Sequence, residues 1–401
     1  MSRRRLVNGV AVILSLVWFV RVTFTVTADV EDLGQYWQAA VNIVQVGDPY
    51  ATTPEPGTVK TPSAVRPQPF PNPPLLAYLM LPIAGLEREV AMWLWYGLNM
   101  LMLAALCWIA IDLSGSQIAH NYWGVVWLIF LAIGPTRLCL QLGQLGIVLA
   151  LLAIGGYALI RRSPWGAGLL IALGALIKLY PGFLGLFFLR VGPRRVAWWA
   201  AGSGVAIVAL SLVAHGLRPY TEYVRKVLFG GYYPYQAEFN VSLVGFWRRL
   251  LVASDYTDVL INAPLLANLL IAVCALALLA GCWLVGGPEH AELHPLQFSA
   301  YISAMLLLAP VNGYYNLPIL ILPVLLVIRA LEQERNPRLM IWVAFAIALI
   351  SIAPTWTDGT PLYNPLHIGW GTLLLTPSVY GQALLFGITV WLTRRSPGGG
   401  R

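Results

Sequence analysis

From Leu6 to about Val26 the chain runs the thickness of a bilayer core with a single charge, Arg21, and apolar windows of this kind recur to the C-terminus. About 20 such residues carry a helix across the ~30 Å hydrocarbon layer. Inside lipid every backbone N–H and C=O must find its partner within the protein, so spanning segments are helices or closed barrels, and windows this long are helices. The composition agrees, with 58% hydrophobic and only 10% charged residues, against roughly 25% charged in soluble domains. The expected fold class is an all-α polytopic membrane protein.

Arg3-Arg4-Arg5 precede the first window, which puts the N-terminus in the cytoplasm and residue 27 onward outside. Val26-Thr27-Ala28 has the look of a signal-peptidase site, but the window exceeds the roughly 7–15 residues of a signal core, so an uncleaved first helix is expected. Further windows lie near 73–86, 91–111, 122–138, 145–160, 166–189, 196–216, 263–285, 296–309, 317–330, 338–353 and 368–392. Simple alternation makes about twelve spans with both termini cytoplasmic. Arg190, Arg194, Arg195, Arg335, Arg338, Arg394 and Arg395 then fall inside, as cations beside spans do, whereas Arg161-Arg162 fall outside. A broken hairpin over 166–190, turning at Leu179-Tyr180-Pro181-Gly182, is the alternative, and such breaks are tolerated only where they line a cavity. Both arrangements stay open at this point. The chain reads as one transmembrane domain, 1–401, with two large external polar stretches, 27–72 and 217–262.

The net charge of +8 resides largely in these basic clusters and calls for no nucleic acid. Cys107, Cys139, Cys274 and Cys282 lie in apolar stretches without metal-ligand spacing. The five histidines are scattered singly, and no metal set, P-loop or Ser-His-Asp arrangement stands out. Neither a metal nor a cofactor is expected.

Polar residues that cost something to keep are few. In the first loop Leu33, Tyr36, Trp37, Ala40, Val41 and Val44 mark one face of an amphipathic helix lying at the membrane surface. Asp32 reads as its N-cap, with Gln35 completing a capping box. Capping alone is worth about 1 kcal/mol and accounts for an aspartate there. Yet Asp29, Glu31 and Asp32 crowd where the membrane ends, and a catalytic base needs position more than high basicity. Lys178 sits in an apolar window, where a central lysine costs roughly 2.5–3.5 kcal/mol. Snorkelling explains it if Pro181 marks a turn, and a phosphate is its natural partner otherwise. Arg137, Gln141 and Gln144 form a further polar cluster, for which helix–helix hydrogen bonds suffice. Asn240-Val-Ser242 has the pattern of a glycosylation sequon, and Pro310-Val-Asn312-Gly-Tyr314-Tyr315-Asn316 reads as a non-helical external turn.

Taken in order, several pieces resemble glycosyltransferase family 87. They are Asp32-x-x-x-Tyr36 with Ala39-Ala40, Gly47-Asp48-Pro49-Tyr50, Phe70-x-Asn72-Pro73-Pro74 and Gly143-Gln144. Ala175-Leu-Ile-Lys178-Leu-Tyr-Pro181, Asn240-x-Ser242-Leu243 and Ala309-Pro310-Val311 continue the series. The resemblance runs from about residue 6 to 330, and the shared order makes it specific where each motif alone is weak. It implies a C-type membrane glycosyltransferase bundle of about twelve helices, with a juxtamembrane helix in the first external loop and the active site on the extracytoplasmic side of the cell membrane. It implies inverting, metal-independent transfer of a hexose, mannose first, from a polyprenyl-phosphate donor to a lipid-linked or glycan acceptor. By position Asp32 becomes the general base, with Asp29 as fallback, and Lys178 the cation on the phosphate. Tyr36, Asn72, Gln144, Asn240 and Tyr315 become candidate substrate contacts. One departure stands out. The mannosyltransferases resembled carry histidines just after the Pro-Val of the late turn, where this chain has Tyr315 and Asn316. The rival from another class is a transporter or lipid flippase with Lys178 and Arg137 along its path; a third reading is a non-catalytic membrane scaffold.

Overall fold

The computed structural model describes residues 3–25, 31–51, 70–230, 235–286, 295–334, 336–353 and 365–395. Asp29 lies outside the described residues. In chain order the helices are α1 (Arg3–Thr25), α2 (Glu31–Val46), α3 (Pro74–Leu79), α4 (Arg88–Ser114), α5 (Gln117–Asn121), α6 (Trp123–Ala132), α7 (Gly134–Leu142), α8 (Gly146–Leu159) and α9 (Pro164–Ile177). There follow α10 (Leu184–Arg190), α11 (Arg194–His215), α12 (Arg218–Glu222), α13 (Leu243–Leu251), α14 (Pro264–Leu284), α15 (Pro295–Leu308), α16 (Ile321–Glu334), α17 (Pro337–Ser351) and α18 (Pro377–Arg395). Among the described residues there is no strand, only isolated bridges such as Asn240 to Gly313.

Five helical stretches are long and apolar enough to cross a membrane: α1, α4, α11, α14 and the run Tyr314–Glu334 that ends in α16. The pair α6 and α7 makes a sixth, bent by 59° at Ile133 between them. α8, α9, α15 and α17 are shorter apolar helices beside them. α11 and α14 leave rows of large apolar side chains bare, including Trp198, Val213, Leu265 and Leu276, as lipid-facing helices do. The chain is an integral membrane protein.

Residues 166–189 are not one span. α9 stops because Lys178 leaves the helix for an extended conformation, φ −152° and ψ 128°, and a 3₁₀ turn over Tyr180–Phe183 leads into α10. Gly168, early in α9, abuts the start of α11 so closely that a Cβ there would meet Trp199 Cβ at 2.6 Å. α9 and α11 therefore begin at the same end of the bundle, and α10 is the return leg between them. Tyr157, a turn before Arg161, packs on Phe187 of α10 with ring centroids 6.2 Å apart. Arg161-Arg162 thus share an end with Arg190, Arg194 and Arg195, and the charge conflict in the simple alternation disappears.

Two sequence expectations need correction. The window near 73–86 does not cross: α3 has six residues and is followed by a 3₁₀ turn, Leu81–Ile83, and six helical residues cover only about 9 Å. The apolar face of α2 also does not lie on the membrane. Leu33, Tyr36, Ala39 and Ala40 are buried in the protein core, and Trp37 Nε1 donates to the Leu86 carbonyl at 3.3 Å. Val44 and Val46, in its last turn, remain exposed.

At the far end, Glu332 of α16 accepts hydrogen bonds from Ser116 Oγ and from the amides of Gln117 and Ile118. It thereby supplies the anion that a helix start favours. Arg4 and Asn8 of α1 hold Asn121 at 2.8 and 3.0 Å.

The tightest crossing lies beside the late turn. Gly146 opens α8 where a Cβ would stand 1.9 Å from the Tyr315 carbonyl oxygen, so a larger residue must move backbone. Gly146→Ala should cost about 1–3 kcal/mol as overpacking, read as a lower unfolding midpoint in detergent. Gly202→Ala on α11, where nothing lies within 4 Å, should be neutral or gain up to about 1 kcal/mol in helix propensity. Equal midpoints for the two variants would contradict this packing.

Candidate active site

Helix ends and loops enclose a cavity of about 400 Å³. Asp32 and Tyr36 enter it from α2, Asn72 from the segment before α3, and Gln144 from the α7–α8 break. Lys178 enters from the α9–α10 turn and Tyr315 from the late turn. Six sequence-predicted side chains from five separate stretches therefore line one space. Asn240 does not, and Arg137 is exposed on α7 and is not among the lining residues.

Asp32 is not a cap. α2 begins at Glu31, which puts Asp32 inside the first turn. There the helix field still favours a carboxylate, and the side chain reaches the cavity. One turn on, the Tyr36 hydroxyl donates to Gln144 Oε1 at 2.9 Å. That leaves the Gln144 amide N–H groups, without a protein partner among the described residues, for a ligand. Gln144 itself is delivered by Gly143, whose left-handed conformation (φ +68°) ends α7.

The Gly47-Asp48-Pro49-Tyr50 turn is a strut. Gly47 leaves α2 at φ +74°, and buried Asp48 accepts the Tyr50 amide at 2.9 Å. The Tyr50 hydroxyl donates to the Asn72 carbonyl at 2.7 Å. Phe70 lies between the Tyr50 and Tyr36 rings, at 5.7 and 6.3 Å. The second loop grips the same turn: Lys226 Nζ donates to the Tyr50 carbonyl at 2.9 Å, and Arg218 pairs with Asp48 at 3.6 Å. Asn72 is 2% exposed, yet among the described residues its side-chain amide makes no hydrogen bond and opens only to the cavity.

Lys178 carries the strongest demand. Its ammonium lies 5.4 Å from the Tyr315 ring centroid and 5.9 Å from that of Tyr180. The Asp32 charge acts on it, but among the described residues it makes no hydrogen bond and no ion pair. Ring faces return about 0.5–2 kcal/mol to a cation, whereas withdrawing an ammonium from water costs several. The three N–H donors of Lys178 meet no hydrogen-bond acceptor among the described residues, and the ammonium lines the cavity.

Asn240 serves the scaffold instead. It is fully buried; its Nδ2 donates to the Tyr235 and Pro310 carbonyls at 3.0 and 3.1 Å, and its Oδ1 accepts the Asn312 amide at 2.9 Å. Its amide is consumed within the protein, which also removes it as a glycosylation acceptor. Asn316 is likewise buried, bonded to Asn312 at 3.2 Å, so of the Tyr315-Asn316 pair only Tyr315 faces the cavity.

Sequence reasoning missed the remaining wall and its supports. Tyr223, Tyr235, Phe239 and Tyr256 line it, all from the second polar stretch; its density of aromatics was the only signal. Arg249 is fully buried, with Nη1 on the Ala237 and Asn240 carbonyls at 2.8 and 2.9 Å and Nη2 on Thr376 Oγ1 at 2.8 Å. It ties the Tyr235–Asn240 turn to the start of α18. The Tyr256 carbonyl lies 2.8 Å from Nδ1 of buried His367. Burial first, then the charges of Glu238 and Asp255, raise the Tyr256 phenol above the ordinary tyrosine value, so it keeps its proton at neutral pH. Among the described residues no three His, Cys, Asp or Glu side chains converge as a metal set.

The chain is a helical membrane protein with one cavity among the described residues walled by amides, a carboxylate, a lysine and aromatic rings. The model of glycosyltransferase family 87 matches residues 70–311, more than half of the chain, and includes every cavity-lining residue except Asp32, Gln35, Tyr36 and Tyr315. The chain therefore belongs to family 87 of the glycosyltransferases. It is similar to a polyprenol-phosphate-mannose-dependent alpha-(1-2)-phosphatidylinositol mannoside mannosyltransferase of Mycobacterium tuberculosis, 31% identical over 160 residues. That match covers 36% of this chain and 37% of the relative, so it spans little more than a third of the relative's length. It is also similar to a polyprenol-phosphate-mannose-dependent alpha-(1-2)-phosphatidylinositol pentamannoside mannosyltransferase of Mycolicibacterium smegmatis, 29% identical over 328 residues, covering 77% of this chain and 74% of the relative. No solved structure matches.

The staple formed by Arg249 is directly testable. Arg249→Ala strands two buried carbonyls and a hydroxyl and should cost about 2–4 kcal/mol. Arg248→Ala removes a stack on Tyr235, at 5.2 Å, and one exposed hydrogen bond to Asn268 Oδ1, at 3.3 Å, and should cost about 1 kcal/mol. Tryptophan-fluorescence unfolding in detergent separates the two; equal losses would show that the buried guanidinium is not the staple.

Proposed function

We propose that this protein transfers a hexose, most simply mannose, from a polyprenyl-phosphate sugar to a hydroxyl of a lipid-linked glycan. The transfer takes place at the extracytoplasmic face of the cell membrane. The observation that carries this reading is the Lys178 ammonium, aimed into the cavity without a protein acceptor and within electrostatic reach of Asp32. Family membership and the donor named for both mycobacterial relatives support it.

In the proposed reaction the acceptor oxygen attacks the anomeric carbon from the face opposite the phosphate. The new C–O bond forms as the bond from the anomeric carbon to the phosphate oxygen breaks, so the anomeric centre inverts. The bonding pair leaves with the polyprenyl phosphate, and the added charge develops beside Lys178. A preorganised cation is worth most there, because nothing must reorient as the charge develops. The acceptor proton passes to the Asp32 carboxylate. Its position in the first turn of α2 suits a base that works late, as the hydroxyl acidifies. With Lys178 balancing the phosphate, the reading invokes no metal. Asn72 and Gln144 offer amides to the sugar hydroxyls, Tyr36 holds Gln144 in place, and Tyr315 shares the phosphate end with Lys178. Asp29 is the fallback base.

We further infer twelve passes in a C-type arrangement, with both termini cytoplasmic. α9 and α10 count separately and α3 stays at the outer face, so Arg161-Arg162 join the inner basic clusters.

Asp32→Asn should lower transfer of radiolabelled mannose from polyprenyl phosphate to a phosphatidylinositol mannoside by about 100-fold or more, the scale of a lost general base. Donor binding should remain. Lys178→Met should weaken donor binding itself. Full transfer by purified Asp32→Asn protein would sink the base assignment, and unchanged donor binding by Lys178→Met the phosphate assignment.

A further inference from the structure

The proposed transfer leaves one wall of the cavity without a task. Tyr223, Tyr235, Phe239 and Tyr256 form it, and each is held by a different device. Tyr223 opens a π-helical turn, Tyr223–Leu228, with its ring 6.1 Å from that of Tyr50; such turns recur at functional sites. Tyr235 lies under the Arg248 guanidinium. The Phe239 carbonyl accepts the Tyr314 amide at 3.0 Å. Tyr256 is pinned by His367, and its loop is closed by Asp258 and Gly369, bonded at 2.7 Å. Four rings are thus presented by rigid supports rather than left to pack on one another.

Three occupants can be weighed. A phosphate is disfavoured, because Glu238 and Asp255 set a negative field at Tyr256; the anion belongs with Lys178. An isoprenoid chain would cover the rings but leave the Tyr256 hydroxyl unmet, since among the described residues that hydroxyl has no protein partner, and an unmet buried hydroxyl costs about 1–3 kcal/mol. Aliphatic Leu179 and Leu228, both exposed and both lining the cavity, suit a hydrocarbon tail better. A pyranose matches the wall on both counts. Its C–H faces carry slight positive charge that a ring face attracts, and its hydroxyls meet phenols at the edge.

We infer that this wall is the acceptor subsite and takes an uncharged pyranose, stacked on Tyr256 and Phe239 with one hydroxyl turned to Asp32. The inference rests on the glycosyl-transfer reading and adds the residues that hold the acceptor sugar: Tyr256 and Phe239 become its specificity-determining contacts in the same cavity.

Binding tests it without turnover. Octyl α-mannopyranoside is offered to the purified full chain, with n-octanol as the tail-only probe, and saturation-transfer NMR reads which protons touch protein. Ring C–H signals should appear with the mannoside. In Tyr256→Ala and Phe239→Ala its affinity should fall by about three- to ten-fold, the size of one lost aromatic contact, while Phe239→Trp restores it. Affinity for polyprenyl-phosphate mannose should hold in all three, which also reports that they fold. Mannoside affinity unchanged in both alanine variants overturns the inference. So does a loss of donor affinity that grows with polyprenyl length, which would make the wall a lipid groove. The Lys178→Met arm fails or succeeds separately: donor affinity unchanged there removes the transfer reading's phosphate site, whatever the mannoside does.

Discussion

Backbone that leaves the helix within a membrane protein must be sheltered by protein or by a wet cavity, because lipid offers no hydrogen bonds. Much of this molecule follows from that constraint. The breaks after α7, after α9 and after α15 all reach the same space, bringing Gln144, Lys178, and Pro310 with Val311. Each break costs helical hydrogen bonds, and each delivers a polar or non-helical segment where a substrate can replace what the helix gave up. The cavity is where the chain's discontinuities have been gathered.

The electrostatics depend on the same geometry. Lys178 reaches the cavity because α9 ends one residue earlier, and two tyrosine rings steady it without neutralising it. A carboxylate partner at bonding distance would have satisfied the ammonium and closed the site to anions. Asp32 acts from the start of α2 instead, through the field it sets at the ammonium. Neutral amides at Asn72 and Gln144 add hydrogen-bonding capacity without adding charge. The lysine is expensive in the empty protein, and that cost is what a bound phosphate would relieve.

The cavity also depends on the two polar stretches, 27–72 and 217–262, being tied together where they are described. Lys226 and Arg218 hold the Gly47–Tyr50 turn, and that turn holds Asn72. Asn240 and Arg249 hold the aromatic segment against the late turn and α18. None of these residues needs to touch substrate to matter. Their hydrogen bonds bridge up to 176 positions of sequence, so each fixes the relative position of cavity walls that the chain itself leaves unconnected.

Apolar length and charge sparsity alone determined that this is a helical membrane protein, since no other architecture satisfies that much backbone in lipid. The ordered motifs brought Asp32, Asn72, Gln144, Lys178 and Tyr315 forward as one site, because each is a polar residue at a place where polarity is costly or helices end. What the sequence could not separate were residues whose local context is identical but whose surroundings differ. Asp32 looked like a cap until the helix start moved to Glu31. Asn240 looked like a contact until its amide proved fully used. Arg248 and Arg249 are adjacent, and only packing makes one half-buried and the other a buried staple. Arg161-Arg162 came to share a bundle end with Arg190, Arg194 and Arg195 only when α10 folded back between α9 and α11. Burial and hydrogen-bond partners are properties of approach between distant segments, and periodicity records only which face a helix can bury, not what it meets there.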